Sequence, residues 1–238
     1  MDTLTKMKQK AAYRAVEFVK SGMVVGLGTG STHKFALERM ADLLRKKQLE
    51  HIWAIASSFE TDKMANALGV PLTTFAFHLK IDLTIDGADE IDPDLNMIKG
   101  GGGALLKEKI LQQASRRVVI IVDGSKLSPQ LGTHRSLPVE VIPFAFQTEE
   151  SFLKSLGASV SLRANVDGSP YRTDQNNLIL DAHFGPISDL KKLADLLNER
   201  AGIVEHGLFL DMASDAIVAG AQGIKHFRYD ASNDIGII

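Results

Sequence analysis

What most constrains this chain is an alternation in its first ~125 residues. Short apolar runs at 23–27, 52–56, 81–85 and 118–122 are each followed by glycine, serine or aspartate. Between them, apolar residues recur at helical spacing, as in Leu4, Met7, Ala11, Ala12, Ala15, Phe18 and Val19, and again in Phe35, Leu37, Met40, Leu43 and Leu44. Buried strands alternating with amphipathic helices predict an α/β fold, a parallel sheet with helices on its faces. Ligands of such sheets bind beyond the carboxyl ends of the strands. Three loops occupy that place here: GTGST at 28–32, DGADE at 86–90 and DGSK at 123–126. Ser57 and Glu60 spell S-x-x-E and predict a capped helix closed by Gly69 and Pro71. A further strand is predicted over 72–75, and a helix over 104–114.

From Leu131 the texture changes. Pro138, Pro143, Pro170 and Pro186 bracket shorter strands predicted near 139–142, 158–163 and 177–182, with helices near 148–156 and 187–199. This reads as a smaller α+β insertion over 132–206. The larger domain then comprises 1–131 plus 207–238, with strands over 207–211 and 224–229 returning to the first sheet.

Composition narrows the partners. A formal net charge of −2 gives no long-range pull on nucleic acid or an anionic membrane, so neither is expected as a partner. An anionic small molecule would need a local cluster of donors. No run of 18 apolar residues exists, and the first 18 residues hold no uninterrupted apolar stretch, so neither a membrane span nor a secretory signal is expected. There is no cysteine, which removes disulfides and thiolate chemistry and suits the cytosol.

The first loop, with Gly28, Thr29, Gly30, Ser31 and Thr32, has the glycines and hydroxyls that let a helix N-terminus hold one phosphate. Serine at 31 breaks the dinucleotide fingerprint, and no Walker lysine follows. A plain strand-to-helix turn is the alternative. Ser31 and Lys34 spell S-x-x-K, but neither S-D-N nor K-T-G accompanies them. In the second loop, Met97 and Gly103 stand where a calcium loop needs glycine and glutamate. A magnesium site through one or two carboxylates stays open, with Lys99 counting against it. Asp86 and Asp89, beside glycine at a strand end, suit substrate hydroxyls or acid–base work, whereas Asp92 and Asp94 flank a proline and are expected to face water. Lys99 opens a run of four glycines, Gly100, Gly101, Gly102 and Gly103. Four glycines are costly to order unless the backbone passes close to a ligand. Glu108 lies between Lys107 and Lys109, and two readings stand: an exposed charged helix face, or a carboxylate turned into a cleft away from its sequence neighbours. Lys126 of DGSK could reach an anion or simply be solvated. The seven histidines show no metal-ligand spacing.

Taken together, VGLGTGST, Ser57-Ser58, DGADEID, MIKGGGGALLKEKI, DGSK, LPVEVIP and GLF resemble the ribose-5-phosphate isomerase A family across nearly the whole chain. DGADE followed ten residues later by KGGG and a K-E-K helix is the most specific part. The resemblance implies a Rossmann-like domain with an inserted ferredoxin-like domain, and a cytoplasmic homodimer or homotetramer acting on a sugar phosphate. It implies Glu108 as the base that moves a proton between C1 and C2, with Asp86, Asp89 and Lys99 completing the catalytic group. Thr29, Gly30, Ser31, Thr32, Asp86, Gly87, Ala88, Asp89, Lys99, Gly100, Gly101, Gly102 and Lys126 become substrate-binding positions, and Lys8 matches a phosphate-contacting lysine. The chemistry this implies runs through an enediolate and calls for no nucleotide, flavin or metal cofactor. Two other classes compete. A non-catalytic sugar-phosphate sensor would lack a base, and a nucleotide-dependent oxidoreductase would need glycine at 31 and an acid after the 52–56 strand.

Overall fold

The computed structural model describes residues 2–229 and 236–237. The chain begins with α1 (Thr3–Val16), capped by Asp2, whose carboxylate accepts from the Thr5 backbone N–H at 2.8 Å. There follow β1 (Val24–Leu27), α2 (His33–Arg45), β2 (Trp53–Ala56), α3 (Phe59–Leu68) and β3 (Leu83–Asp86). Next come β4 (Glu90–Ile91), β5 (Met97–Ile98), α4 (Leu105–Gln113), β6 (Val118–Asp123) and β7 (Leu137–Val141). The chain continues through α5 (Phe146–Ser155), β8 (Ser159–Leu162), β9 (Leu178–His183), α6 (Leu190–Asn198), β10 (Ile203–His206) and β11 (Leu208–Phe209). It closes with β12 (Asp215–Gly220), β13 (Gly223–Arg228) and β14 (Gly236–Ile237).

These elements form two compact units. The first comprises Met1–Ala88, Lys107–Lys126 and Met212–Ile238. Its seven-stranded sheet has the order β14-β13-β12-β6-β3-β1-β2, parallel from β12 to β2 and antiparallel at the β13 and β14 edge. β6 lies at its centre because all six of its residues are buried; five are Val or Ile, each contributing about 1.5–3 kcal/mol on burial. The small face of α1 (Ala11, Ala12, Ala15) lets that helix approach α2 and the sheet closely.

The second unit comprises Asp89–Leu106 and Leu127–Asp211. Strands β10-β7-β9-β8 form an antiparallel sheet whose chain order, strand–helix–strand–strand–helix–strand, is that of the ferredoxin-like split βαβ. A second sheet, β11-β5-β4, belongs to the same unit. The sequence reading draws the insertion at 132–206; the compact unit also takes in 89–106, 127–131 and 207–211. Two interactions draw these segments in. Glu90 accepts backbone N–H bonds from Gly132, His134 and Arg135, and Lys99 N–H donates to the Gly207 carbonyl.

Three local expectations are corrected, and one strand, β12, lies where none was expected. The strand predicted over 72–75 is reduced to a single bridge between Leu72 and Ala54. Ser58, not Ser57, caps α3, because its hydroxyl accepts from Thr61 N–H. The 207–211 segment pairs with β5 and does not return to the first sheet. β12 does return; its Ala- and Gly-rich sequence carries little strand propensity, and burial between β6 and β13 decides it.

Candidate active site

In the first unit, β6, β3 and β1 are adjacent and parallel, so their carboxyl ends present the 123–126, 86–88 and 28–32 loops along one edge. The first loop passes so close to Asp86 that a Cβ on Gly28 would lie 2.0 Å from Asp86 Oδ1. Gly30, at φ +113°, adopts a backbone that other residues rarely tolerate. Asp86 Oδ1 accepts from Gly87 N–H at 2.8 Å and from Thr29 N–H at 3.3 Å. The Thr29 hydroxyl turns into a cluster with Ser57 (2.8 Å), Ser58 (2.9 Å) and Thr61 (3.3 Å), and Thr61 in turn donates to the Gly28 carbonyl. Those hydroxyls hold the loop in shape. Thr32 precedes the 13-residue helix α2 without a side-chain cap bond, and the Lys34 and Phe35 N–H groups of its first turn bond the Gly30 and Thr32 carbonyls. Lys8 of α1 reaches the same loop, its Nζ 3.0 Å from Ser31 Oγ. Lys126 ends a short 3₁₀ turn that Asp123 shapes by accepting from Ser125 N–H and Oγ–H.

Helix α4 carries Glu108 and Gln112. Its Leu111 packs with Ile81, Val24 and Ile55, and Ser115 beyond its end bonds Thr84, so the helix descends toward the amino ends of the strands. Gln112 reaches Asp86, with Nε2 3.1 Å from Oδ2. One turn earlier on the same face is Glu108, displaced about 6 Å along the axis toward the loop edge. Glu108 is only 5% exposed, which decides between the two readings in favour of the inward carboxylate. Its neighbours behave differently from each other: Lys107 stacks on the Phe59 ring at 4.0 Å, while Lys109 is also buried. The signal for Gln112 was its i+4 spacing from Glu108, which sequence reasoning passed over.

In the second unit, Asp89 N–H donates to Ile98 O, and its carboxylate accepts the Gly101 N–H at 2.7 Å. Lys99 is 2% exposed, with Nζ 5.4 Å from the centre of the Phe209 ring. A Cβ on Gly207 would stand 2.4 Å from the Lys99 carbonyl, which explains the glycine of the GLF segment. Gly103 N–H closes the glycine run by donating to Gly100 O at 2.9 Å. Of the two acids expected in water, Asp94 is exposed but Asp92 is buried, accepting from the N–H groups of Asp94 and Asn96. Burial pushes the Asp92 carboxyl above its ordinary range despite the opposing bonds from Asn96. Asp92 is therefore a turn former. Among the described residues no cluster of three or more His, Cys, Asp or Glu could hold a metal ion.

The predicted residues thus fall into two groups. Lys8, Thr29, Gly30, Ser31, Thr32, Asp86, Gly87, Ala88, Glu108 and Lys126 belong to the first unit; Asp89, Lys99, Gly100, Gly101 and Gly102 belong to the second.

The model of the family described as ribose 5-phosphate isomerase A (phosphoriboisomerase A) matches residues 53–223. A protein of Desulfatibacillum aliphaticivorans named ribose-5-phosphate isomerase A is 53% identical over 228 residues, covering 96% of this chain and 99% of its own length. One of the same name from Chloroflexus aurantiacus is 51% identical, covering 97% and 95%. A solved D-ribose-5-phosphate isomerase in complex with phospho-erythronic acid superposes with a TM-score of 0.93 at 34% identity, covering 96% of this chain and all of that one. No helix among the described residues is long and apolar enough to cross a membrane.

Proposed function

The chain belongs to the ribose-5-phosphate isomerase A family, and on that premise we propose that Glu108 is the base carrying a proton between C1 and C2 of the sugar. The reaction is the interconversion of D-ribose 5-phosphate and D-ribulose 5-phosphate in the pentose phosphate pathway. The aldose opens its ring, loses the C2 proton, passes through a cis-enediolate and regains a proton at C1. One carboxylate that reaches both carbons suffices. The observation that carries the assignment is the geometry of α4: Glu108 is buried on the face that Gln112, one turn on, anchors to the end of β3.

The other roles follow from the same residues. Phosphate binds at the start of α2 through the loop of Thr29, Gly30, Ser31 and Thr32, with Lys8 and Lys126 as point charges. Remote binding energy then holds the reacting carbons in register. Asp86 serves ring opening. Its Oδ1 accepts from the Thr29 and Gly87 N–H groups and its Oδ2 from Gln112 Nε2, which fixes the plane of the carboxylate. Gly87, Ala88 and Asp89 line the sugar hydroxyls, and Lys99 stabilises the developing oxyanion together with N–H groups of the 100–102 run. The same reading makes this a cytoplasmic enzyme working as a homodimer or homotetramer, an assembly that light scattering on the purified chain checks.

Glu108→Gln is the test. Glutamine keeps the shape but cannot accept the C2 proton, so kcat should fall about 10²–10⁴-fold while substrate affinity changes far less. Exchange of the C2 proton with deuterated solvent isolates the step. A Glu108→Gln enzyme that exchanges near the wild-type rate moves the base role elsewhere, with Asp86 or Asp89 first in line. Phospho-erythronic acid, whose carboxylate resembles the enediolate, probes the oxyanion site; the wild-type enzyme should prefer it to the four-carbon alditol phosphate, which keeps the phosphate but lacks the carboxylate.

A further inference from the structure

We propose that Arg163 is a positioning residue for this reaction, one that sets the direction of the glycine-run peptides and so aims the Gly102 N–H at the developing oxyanion. The inference rests on the reading of the 100–102 run as the oxyanion site.

Arg163 stands just beyond β8, with 15% of its side chain exposed. Its Nε and Nη2 bond both oxygens of Asp181 on the neighbouring strand β9, a two-point grip that fixes the guanidinium plane. The remaining nitrogen, Nη1, donates to Gly100 O at 2.8 Å and to Gly101 O at 3.0 Å. Four of the five guanidinium N–H groups are thereby in use. Tyr171 continues the clamp: its hydroxyl donates to Gly102 O at 3.1 Å. Its ring also fills the space a Cβ on Gly103 would need, with that Cβ 2.3 Å from the hydroxyl oxygen. The two gripping residues are paired, since Tyr171 N–H donates to the Arg163 carbonyl at 2.9 Å, across the base of the hairpin that spans 163–171.

The consequence for the glycine run follows from peptide geometry. None of the peptide bonds among the described residues is cis, and in a trans peptide the C=O and the following N–H point in opposite directions. Gly100 O turned to Arg163 sends the Gly101 N–H the other way, where it meets Asp89. Gly101 O turned to the same cation sends the Gly102 N–H to that side as well. Gly102 O held by Tyr171 turns the Gly103 N–H back to Gly100 O. With the Gly101 and Gly103 N–H groups taken, the donor this clamp aims outward is that of Gly102, on an exposed residue. Glycines have no side chains to hold such an orientation themselves, so an external clamp has to supply it.

Arg163→Lys keeps the charge but loses the planar fork that binds Asp181 and two carbonyls at once. With a folded variant confirmed by its thermal midpoint, kcat should fall roughly 10–100-fold, somewhat less than for outright deletion of an oxyanion donor. KM for ribose 5-phosphate and inhibition by inorganic phosphate should stay nearly unchanged, and affinity for phospho-erythronic acid should fall in parallel with kcat. Tyr171→Phe, a milder change, should move the same quantities in the same direction by a smaller factor. Wild-type kcat and wild-type carboxylate affinity in folded Arg163→Lys overturn the proposal; if that variant does not fold, the same result in Tyr171→Phe overturns it. An equal loss of phosphate and carboxylate affinity also overturns it, since that is the mark of general disorder. A wild-type enzyme that does not prefer phospho-erythronic acid over the alditol phosphate instead sinks the oxyanion reading itself, whatever Arg163 does.

Discussion

The two units hold their loop backbones in shape by opposite means. The first unit uses regular structure. Parallel strands end side by side, a 13-residue helix begins at the loop, and the loop takes its course from those elements. The second unit has no such frame around residues 100–103. It relies on side chains from distant sequence, with Arg163 and Tyr171 gripping three successive carbonyls and Glu90 gathering the N–H groups of Gly132, His134 and Arg135. A frame made of elements tolerates changes in individual side chains; a frame made of side chains does not.

The same contrast extends to buried acids, and the largest expected effect tests it there. Asp215 in the first unit would be raised by burial alone, but bonds from Arg117 and His226 outweigh that and hold its carboxyl below the ordinary range. A lowered carboxylate pKa contributes stability that is present above the unfolded value, near 4, and is lost as pH falls through the folded one. Asp215→Ala should cost about 3 kcal/mol at neutral pH, because it removes the acceptor shared by half-buried Arg117 and buried His226. Its acid-unfolding limb should also be shallower than that of the wild type. Urea unfolding at several pH values measures both, and a loss below ~1 kcal/mol would show that β12 is held by packing alone.

Next in size is a break at the 28–32 loop. Gly28→Ala places a methyl group 2.8 Å from the Asp86 Cα, a backbone atom that cannot step aside. A loop displaced by about 1 Å should lower kcat/KM roughly 100-fold. Near-wild-type kinetics would show that the loop is more compliant than its strand-end frame implies.

The smallest effect is expected at Glu140 in the second unit. Burial pushes this carboxyl up, Asn177 and Thr173 work against the shift by bonding the same oxygen, and nearby Glu205 and Asp174 add to it. A raised carboxylate pKa has the reverse sign: stability declines as pH rises from the unfolded value through the folded one. Glu140→Gln keeps an acceptor for both donors and removes the charge. It should be within about 1 kcal/mol of the wild type at pH 5 and equal or more stable at pH 7. A variant less stable at pH 7 than at pH 5, relative to the wild type, would reverse the sign.

How much of this was legible in the sequence follows the same division. The GTGST, DGADE and DGSK loops could be placed because each directly follows an apolar run, a local signal. The helix that carries Glu108 was legible as a helix, but the sequence left the direction of Glu108 open, because flanking lysines are compatible with either face. Arg163, Tyr171 and Asp181 left no comparable trace; their partners lie 62 to 69 residues away or on the adjoining strand. Two-residue strands such as β4 and β5 are too short for any alternation to register, which is why the boundary at 89 was not foreseen.

The hairpin at 163–171 separates what must be kept from what can drift. Its base grips the glycine run, whereas its tip carries a fully exposed Val166 and a turn through Gly168 at φ +82°, bonded mainly to itself. The two anchor residues and their pairing tie down the base, and nothing comparable ties down the tip. For the same reason the tip is where a foreign peptide, a fluorophore or an affinity handle can be spliced into the chain without disturbing its chemistry.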